Sequence, residues 1–393
     1  MAMMWRPGRA SRGVLVLVAA ISLLGYLLVE SLPEKTRKRH YREKRKASKV
    51  MAQGMEVIRQ SRLSLFGRID LEHDPNNTGM IGSGLTPITS KTGVLSAKIT
   101  AANPNFAAIM IHLYKRAGLK EGDVVAMAFS GSFPSLNLAS LAAAETLDLV
   151  PIPISSVSAS RWGANDPQLT WLDMERRLFE KGVIQHRSVA ASLGGERDRG
   201  GGIPPDGIRM LKEAIKRNGM EFIDPPDLSS SFDLRMNIYE EHADGRPVAC
   251  FVNVGGGAGS VGTPLVKKMF RPGLNRTTPH PGRLRDAVMT RMSRNGIPVI
   301  NLIYIEKLAK RYGLPVRPER PPHVGEGGIF AALGYNLTLT WIVLLCLVAV
   351  IFILLRMDYN HYFLRVRRSL QSNNKGKKKD STPPPPAAKP ESS

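Results

Sequence analysis

A strand–helix–strand pattern between Asp123 and Leu178 constrains the fold of this chain more than any other stretch. The apolar run Val124 to Phe129 is short enough for a buried strand, and Pro134 stands where a helix can begin. An alanine-rich apolar helix follows, and a second apolar run extends from Val150 to Ile154. Strands joined by such a crossover run parallel. The stretch therefore predicts one unit of a parallel sheet.

Helices and short apolar strands alternate through the rest of the central region. Further strands are predicted at 188–191, 221–223, 248–254 and 297–303, and further helices at 106–117, 168–180, 204–217, 227–241 and before Arg311. Such alternation is typical of a sheet covered by helices on both faces. The predicted fold class is α/β: a three-layer domain with a mainly parallel sheet, placed between two transmembrane helices.

Two stretches are apolar and long enough to cross a membrane. Gly13 to Val29 is marginal in length, whereas Leu337 to Leu355 contains no charged residue. A cleaved signal peptide is the alternative for the first stretch, but no clean cleavage site follows before Pro33, which favours an uncleaved anchor. The predicted organisation is an anchor at 1–30, a basic helical stalk and connector at 31–86, the α/β domain at 87–318, a linker at 319–336, a transmembrane helix at 337–355 and a basic, proline-rich disordered tail at 356–393.

The formal net charge of +22 lies mainly beside the predicted spans. Residues 1–49 carry +9 and residues 356–393 carry +6, which leaves +7 for the whole region between them. This placement disfavours a general nucleic-acid surface and suits anionic lipid headgroups. The alternative for the basic segment 35–49 is a site that holds a polyanion by charge.

Sequence signals for a cofactor or a metal are weak. Gly257 to Gly262 matches G-x-G-x-x-G, but Thr263-Pro264 and a basic segment follow where a dinucleotide site has a long helix and an acidic residue. The chain contains no G-x-x-x-x-G-K-[ST] loop. Cys250 and Cys346 belong to no metal-ligand spacing, and Cys346 lies inside the second span, which disfavours a disulfide. We expect no cofactor and no metal.

Serines and glycines cluster at the carboxyl ends of the predicted strands. Ligands of open parallel sheets gather there, where backbone N–H groups and hydroxyls can bind a carboxylate or a phosphate. The alternative for each serine is an ordinary helix cap. The predicted anion-binding or substrate-binding residues are Ser130, Gly131, Ser155, Ser156, Asn165, Asp166, Gly194, Gly195, Arg199, Asn253, Gly255 and Gly256.

Ser132 and Asp198 are the residues predicted to be catalytic if the domain is an enzyme. Ser132 follows a strand on a turn toward a helix, although no G-x-S-x-G elbow surrounds it and no histidine partner is identifiable by spacing. Asp198 lies in a glycine-rich loop beside Arg199, which can clamp a substrate carboxylate.

Three other carboxylates lie near the predicted helix 168–180. Asp166 is expected to be its N-cap. Asp173 and Glu175 are two residues apart, so they do not share a helix face, and their expected role is solvation or pairing with Arg176 and Arg177. Paired-carboxylate hydrolysis requires that Asp198 or Asp166 meets one of them in space.

Four long motifs resemble the poly-gamma-glutamate system protein family: FSGSFPSLN, SSVSASRWGANDPQLTWLDME, RSVAASLGGERDRGGGI and VNVGGG. The resemblance runs from about Pro87 to Tyr312. Glu196 and Arg197 depart from a more glycine-rich segment of that family, which puts any role for these two residues in doubt. The family looks like a membrane component found beside the ligase subunits that make poly-γ-glutamate, so the resemblance implies a pathway and no reaction.

The resemblance implies an accessory membrane protein of poly-γ-glutamate synthesis or export that binds the polymer or the membrane subunits of the synthase. A hydrolase or transferase that trims or anchors the polymer, and a purely structural scaffold, are the alternatives. The basic residues beside the two spans give conflicting orientations. The implied export pathway favours an external central domain with both termini in the cytoplasm, at the plasma membrane.

Overall fold

The computed structural model describes residues 12–279, 282, 285–354 and 356. One compact unit is Arg37–Ala332, and the described residues outside this range form a second unit. The first residues of the predicted anchor, Leu355 at the end of the predicted second span and almost all of the predicted disordered tail lie outside the described residues.

The elements of the described chain are short strands and helices in alternation. The strands are β1 (Glu34–Arg37), β2 (Thr89–Lys91), β3 (Val124–Ser130), β4 (Val150–Ser156), β5 (Ala159–Ser160), β6 (Asn165–Asp166), β7 (Leu169–Thr170), β8 (Ala190–Ser192), β9 (Glu221–Ile223), β10 (Val248–Val254), β11 (Gly273–Asn275), β12 (Val299–Leu302) and β13 (Ala331–Gly334). The helices are α1 (Arg12–Ser31), α2 (Tyr41–Phe66), α3 (Leu95–Ala101), α4 (Phe106–Ala117), α5 (Pro134–Thr146), α6 (Trp171–Glu180), α7 (Pro205–Arg217), α8 (Leu228–Ala243), α9 (Ala258–Val261), α10 (Pro264–Met269), α11 (Val288–Arg294), α12 (Ile305–Arg311) and α13 (Leu337–Leu354).

A seven-stranded sheet organises the unit Arg37–Ala332. Its strand order is β11-β12-β10-β3-β4-β8-β9, and only the edge strand β11 runs antiparallel to its neighbour. From β3 the chain proceeds through β4 and β8 to β9, and it then returns to place β10 on the other side of β3. The connections therefore leave β3 and β10 in opposite directions, which opens a crevice at the carboxyl ends of these two strands. The prediction of an α/β fold with a mainly parallel sheet is confirmed.

Apolar clusters cover both faces of this sheet. Val125, Met127 and Phe129 of β3 belong to one cluster, and the alternate residues Val124 and Ala126 belong to the other, as the two-residue period of a strand requires. Helices α2, α4 and α5 contribute to the first cluster, and α8 and α11 to the second. Burial on both faces explains why the strands consist of nearly continuous apolar residues.

Several predicted boundaries agree with the structure, and one helix start differs. The helix at 106–117 and the strands at 221–223 and 248–254 lie where the sequence predicts them. Helix α6 begins later than the predicted 168, because β6 and β7 form a small antiparallel pair in front of it. The prediction that Asp166 is the N-cap is wrong: Thr170 holds that position, and its N–H donates to the Asp173 carboxylate at 2.8 Å.

Helix α2 is part of the domain, although the sequence predicts a stalk. The predicted helical conformation is observed, but Met51 and Ile58 are fully buried in the cluster that includes α4 and α5. Gly54 lets α2 approach its neighbours closely, since a Cβ there would lie 3.0 Å from Leu138. The basic residues at the start of α2 suggest a stalk. Its small and apolar residues instead pack the helix against α4 and α5.

The predicted linker at 319–336 also packs against the domain. Ile329 and Phe330 are buried in the same cluster, and the Ile329 carbonyl accepts a hydrogen bond from the buried ammonium of Lys44 at 3.0 Å. Proline and glycine in this segment prevent a helix, but they do not prevent two apolar side chains from packing.

Among the described residues, two helices are long and apolar enough to span a membrane. Arg12–Ser31 has 20 residues and Leu337–Leu354 has 18, and none of the residues in their most apolar windows is buried in the structure. At about 1.5 Å per residue, each helix approaches the thickness of the hydrocarbon core. The described helix Leu337–Leu354 lies within the predicted span, whose last residue, Leu355, is outside the described residues.

The packing of α2 can be tested with Ile58→Ala in the full-length protein in detergent micelles. We expect a loss of about 2–5 kcal/mol in the free energy of unfolding, because the substitution leaves a cavity in a buried site. Lys49→Ala, at an exposed position of the same helix, is the control and should change stability by less than about 0.5 kcal/mol. Equal unfolding midpoints for the two variants in a denaturant titration would support the stalk instead.

Candidate functional site

A cleft of about 470 Å³ lies at the carboxyl ends of β3, β4, β8 and β10. The loops after these strands contribute the serines and glycines on its wall, as the sequence predicted. A second wall consists of residues that precede and begin α3, together with the start of α12. Among the predicted site residues, those that line the cleft are Ser130, Ser132, Ser156, Gly194, Gly195, Gly255 and Gly256.

Lysine side chains give the cleft a positive charge. Four lysines line it, and Glu306 is the carboxylate among the lining residues. Glu306 accepts a short hydrogen bond from the Ser96 hydroxyl. In the part of the chain that the structure describes, no carboxylate lies within ion-pair distance of the lysines, which are Lys91, Lys98, Lys267 and Lys307.

Lys98 is the most deeply placed of these lysines. Its side chain comes from helix α3 and is only 3% exposed. Its ammonium donates to the Ser132 carbonyl and to Ser160 Oγ, the latter at 2.9 Å, and lies 3.8 Å from the centroid of the Phe133 ring. Burial, and then the positive charge of Lys267, lower the pKa of Lys98 to about 7.

Lys267 also lines the cleft and comes from helix α10. Burial and the charge of Lys91 lower its pKa. A Cβ at Gly256 would lie 2.8 Å from the Lys267 ammonium, so the glycine leaves room for this side chain. Gly194 has a φ of 73°, and a Cβ there would lie 2.6 Å from Ser158 Oγ. Gly256 and Gly194 therefore allow the Lys267 ammonium and the Ser158 hydroxyl to lie against the main chain that lines the cleft.

Asp198 lies behind the cleft wall and is paired with Arg235. Its carboxylate accepts hydrogen bonds from Arg235 at 2.8 Å and from the hydroxyls of Ser192 and Ser156 at 2.8 and 3.2 Å. Asp198 is buried and has a φ of 63°, a conformation that few non-glycine residues adopt. Because Ser156 lines the cleft, Asp198 acts on the site through this serine and does not face a ligand itself.

Ser155 points away from the cleft, since successive residues of a strand face opposite sides of a sheet. Its hydroxyl lies 2.7 Å from Ser188 Oγ, and Ser188 donates its N–H and its hydroxyl to Glu175 at 2.9 and 3.0 Å. Glu175 is fully buried, and burial raises its pKa to about 7. The expected solvated role of Glu175 is therefore wrong.

Asn165 and Asp166 form a separate polar cluster with a segment that precedes β2. Asp166 pairs with Arg62 at 2.6 Å, and its other oxygen accepts from the Ser83 hydroxyl at 2.6 Å. The Asn165 side-chain oxygen accepts a hydrogen bond from the Ser83 N–H at 3.0 Å, and the Asn165 NH2 group donates to the Ser83 carbonyl at 2.8 Å. Neither residue lines the cleft. Their structural contacts hold the connector against the domain.

The remaining predicted residues also have partners within the protein. Arg199 is exposed and donates to the Pro226 carbonyl at 2.7 Å, and Asn253 bonds to Asn301 at 2.8 Å. Gly131 packs so closely that a Cβ would lie 2.5 Å from the Val157 carbonyl. Asp173 pairs with Arg217 at 2.5 Å, and not with Arg176 or Arg177 as expected. Asp198 pairs with Arg235 and Asp166 with Arg62, so neither forms with Asp173 or Glu175 the paired arrangement that a carboxylate hydrolase requires.

The residues that the sequence did not identify are mainly cationic. Lys98 is a single lysine within the small apolar helix segment LSAKITA, and Lys267 follows the glycine-rich turn after β10. The only available signal was a charged residue in an otherwise apolar short helix. Ser158 and Ser160, within the motif SSVSASRW, carry no spacing that distinguishes them from other serines.

Comparison of the chain with protein-family models, with curated proteins and with solved structures gives no match.

Asp198→Ala tests whether the Asp198–Arg235 pair stabilises the domain. We expect a loss of about 3–5 kcal/mol in unfolding free energy, because Arg235 would stay buried without its partner. Arg199→Ala, at an exposed position of the same loop, should change stability by less than about 0.5 kcal/mol. Denaturant titration of the full-length variants measures both values, and unchanged stability of Asp198→Ala would contradict the structural role.

Glu175 should make stability depend on pH. Its folded pKa lies above its unfolded value, so the folded protein binds the extra proton between pH 4.5 and about 7, and stability falls as pH rises through this window. The loss attributable to Glu175 is of the order of 3 kcal/mol. Unfolding of the wild type and of Glu175→Gln at pH 5 and pH 8 measures it. The variant should lose less stability between these values than the wild type, and parallel losses would exclude Glu175 as the cause.

Proposed function

We propose that this protein is a membrane-anchored accessory component of poly-γ-glutamate synthesis or export whose α/β domain binds the polymer. The observation that carries the proposal is the positively charged cleft: four lysines, without ion-pair partners among the described carboxylates, line it together with serine hydroxyls and glycine backbone. The resemblance of the sequence motifs to the poly-gamma-glutamate system family supports this polymer as the ligand.

Each repeat of poly-γ-glutamate carries one free carboxylate beside an amide bond, so several adjacent units can contact several cationic groups. Lys267 and Lys91 border the cleft and can each pair with a carboxylate, while the hydroxyls of Ser132 and Ser158 can donate to carboxylate or amide oxygens. Such pairing raises the pKa of a half-buried lysine and offsets the cost of its burial. The cleft therefore suits a chain of carboxylates better than a neutral or cationic ligand.

The two apolar helices support a membrane location for this domain. Arg12–Ser31 and Leu337–Leu354 span the plasma membrane, the unit Arg37–Ala332 is external, and both termini are cytoplasmic. The partners in this proposal are the membrane subunits of the synthase, the polymer and anionic lipid headgroups. An external domain has no access to ATP, which favours binding of the polymer over its ATP-dependent ligation.

Lys267→Ala tests the proposal directly. The full-length protein in detergent micelles is titrated into fluorescein-labelled poly-γ-glutamate oligomers, and anisotropy gives the Kd. We expect Kd to rise about tenfold or more, because a charge-assisted hydrogen bond contributes roughly 1.5–3 kcal/mol. Lys268→Ala is a matched control, since Lys268 lies on the same helix and is exposed outside the cleft.

Equal weakening by the two variants would show that charge acts without a defined site and would overturn binding in the cleft. Failure of the wild type to bind the labelled oligomers at any ionic strength would overturn the proposed function and leave the structural scaffold as the better explanation. Binding that weakens with salt and selectively with Lys267→Ala supports it.

A further inference from the structure

A serine and a lysine meet inside the cleft in an arrangement that goes beyond anion binding. Lys98 Nζ and Ser160 Oγ are 2.9 Å apart, and both side chains line the cleft. The Ser160 N–H donates to Ser132 Oγ at 3.0 Å, which fixes the backbone that carries the Ser160 hydroxyl. Ser160 is half-buried, so its hydroxyl is held by Lys98 on one side and is open to the cleft on the other.

The surroundings of Lys98 favour a neutral amine. The side chain is almost completely buried, the nearby charge that acts on it is the positive charge of Lys267, and no described carboxylate pairs with it. At a pKa of about 7, roughly half of the Lys98 side chains are unprotonated at neutral pH. An unprotonated lysine can accept the proton of a serine hydroxyl at hydrogen-bond distance, and serine–lysine pairs are known nucleophile–base combinations.

Among the described residues, no other hydroxyl of the cleft has a lysine as its hydrogen-bond partner. Ser156 donates to Asp198, whose carboxylate also accepts a hydrogen bond from Arg235, and no lysine contacts the Ser156 hydroxyl. Ser132 uses its oxygen to accept the Ser160 N–H, and Lys98 contacts its carbonyl and not its hydroxyl. Ser130 Oγ accepts from the Ser132 N–H at 3.2 Å. Within the described chain, Ser160 is the hydroxyl for which a hydrogen bond to a lysine is present.

We propose that Ser160 and Lys98 form a nucleophile–base pair that hydrolyses amide bonds of a carboxylate-bearing chain held in the cleft. The substrate class rests on the proposed function, because the lysines that bind carboxylates also place the neighbouring amide carbonyl beside Ser160. In this proposal, the pair takes the catalytic role that the sequence suggests for Ser132 and Asp198.

The reaction balances without a cofactor. Ser160 Oγ attacks the amide carbonyl carbon, an Oγ–C bond forms, the carbonyl oxygen takes the negative charge, and the hydroxyl proton passes to Lys98 Nζ. The C–N bond then breaks as Lys98 returns this proton to the leaving nitrogen, and an ester remains on Ser160. Lys98 next takes a proton from water, the resulting hydroxide attacks the ester, and the Oγ–C bond breaks as Ser160 regains its proton. One amide and one water give one carboxylic acid and one amine.

Two measurements on the full-length protein in detergent micelles test the pair. Poly-γ-glutamate chain length after incubation reports hydrolysis, and a fluorophosphonate probe with mass spectrometry reports the reactive serine without requiring the polymer. Ser160→Ala and Lys98→Met should each lower the hydrolysis rate about 100-fold or more. The wild-type rate should rise with pH through about 7, as Lys98 loses its proton. Thr92→Val, which removes an exposed threonine hydroxyl that also lines the cleft, is the matched control and should keep most of the rate.

Binding of labelled oligomers, measured as for Lys267→Ala, separates this inference from the proposed function. Ser160→Ala should still bind the polymer, and it also serves as a folded variant if Lys98→Met does not fold. Wild-type protein that binds polymer but neither shortens it nor reacts with the probe overturns the pair and leaves polymer binding intact. Labelling of Ser132, or hydrolysis that survives Ser160→Ala, also overturns it. Labelling of Ser160 without polymer binding supports the pair and overturns the polymer as its substrate.

Discussion

The parallel pairing of β3 with β10 sets the arrangement of the domain. The two strands lie in the middle of the sheet, with Met127 beside Val252, and both are buried on both faces. Helices must therefore cover each face, and the chain supplies them by leaving β3 and β10 in opposite directions. Because neither connection crosses the carboxyl ends of these two strands, a crevice stays open there. The position of the cleft is thus a consequence of strand order.

The two buried lysines of this domain have different roles, which depend on where their ammonium groups lie. Lys44 and Lys98 are both almost fully buried, and each donates to a main-chain carbonyl. Lys44 reaches the Ile329 carbonyl and joins the segment after α12 to helix α2. Lys98 lies in the wall of an open cleft, where its second hydrogen bond goes to Ser160, which also lines this cleft. Burial removes both ammonium groups from water and lowers the pKa of both lysines. Of the two, Lys98 is the one that lines the cleft.

The glycine-rich loop after β8 depends on the Asp198–Arg235 pair. Arg197 and Asp198 both have positive φ, and the surrounding glycines Gly194 and Gly195 also adopt left-handed conformations. A short loop in such conformations requires strong local contacts, which the ion pair and three serine hydroxyls provide. Gly259 permits this arrangement, since a Cβ there would lie 2.5 Å from the Asp198 carboxylate. The polar cluster behind the wall holds Ser156 at the cleft.

The sequence by itself determined the alternation of strands and helices, the mainly parallel sheet and the two long apolar helices, because these follow from local periodicity and composition. It also placed Ser130, Ser132 and the glycines at one edge, since parallel strands end together. Only the tertiary structure decided that α2 packs in the core, that Asp166 pairs with Arg62, and that Lys98 meets Ser160 across 62 positions of sequence. Such contacts depend on strand order and helix approach, which no local pattern encodes.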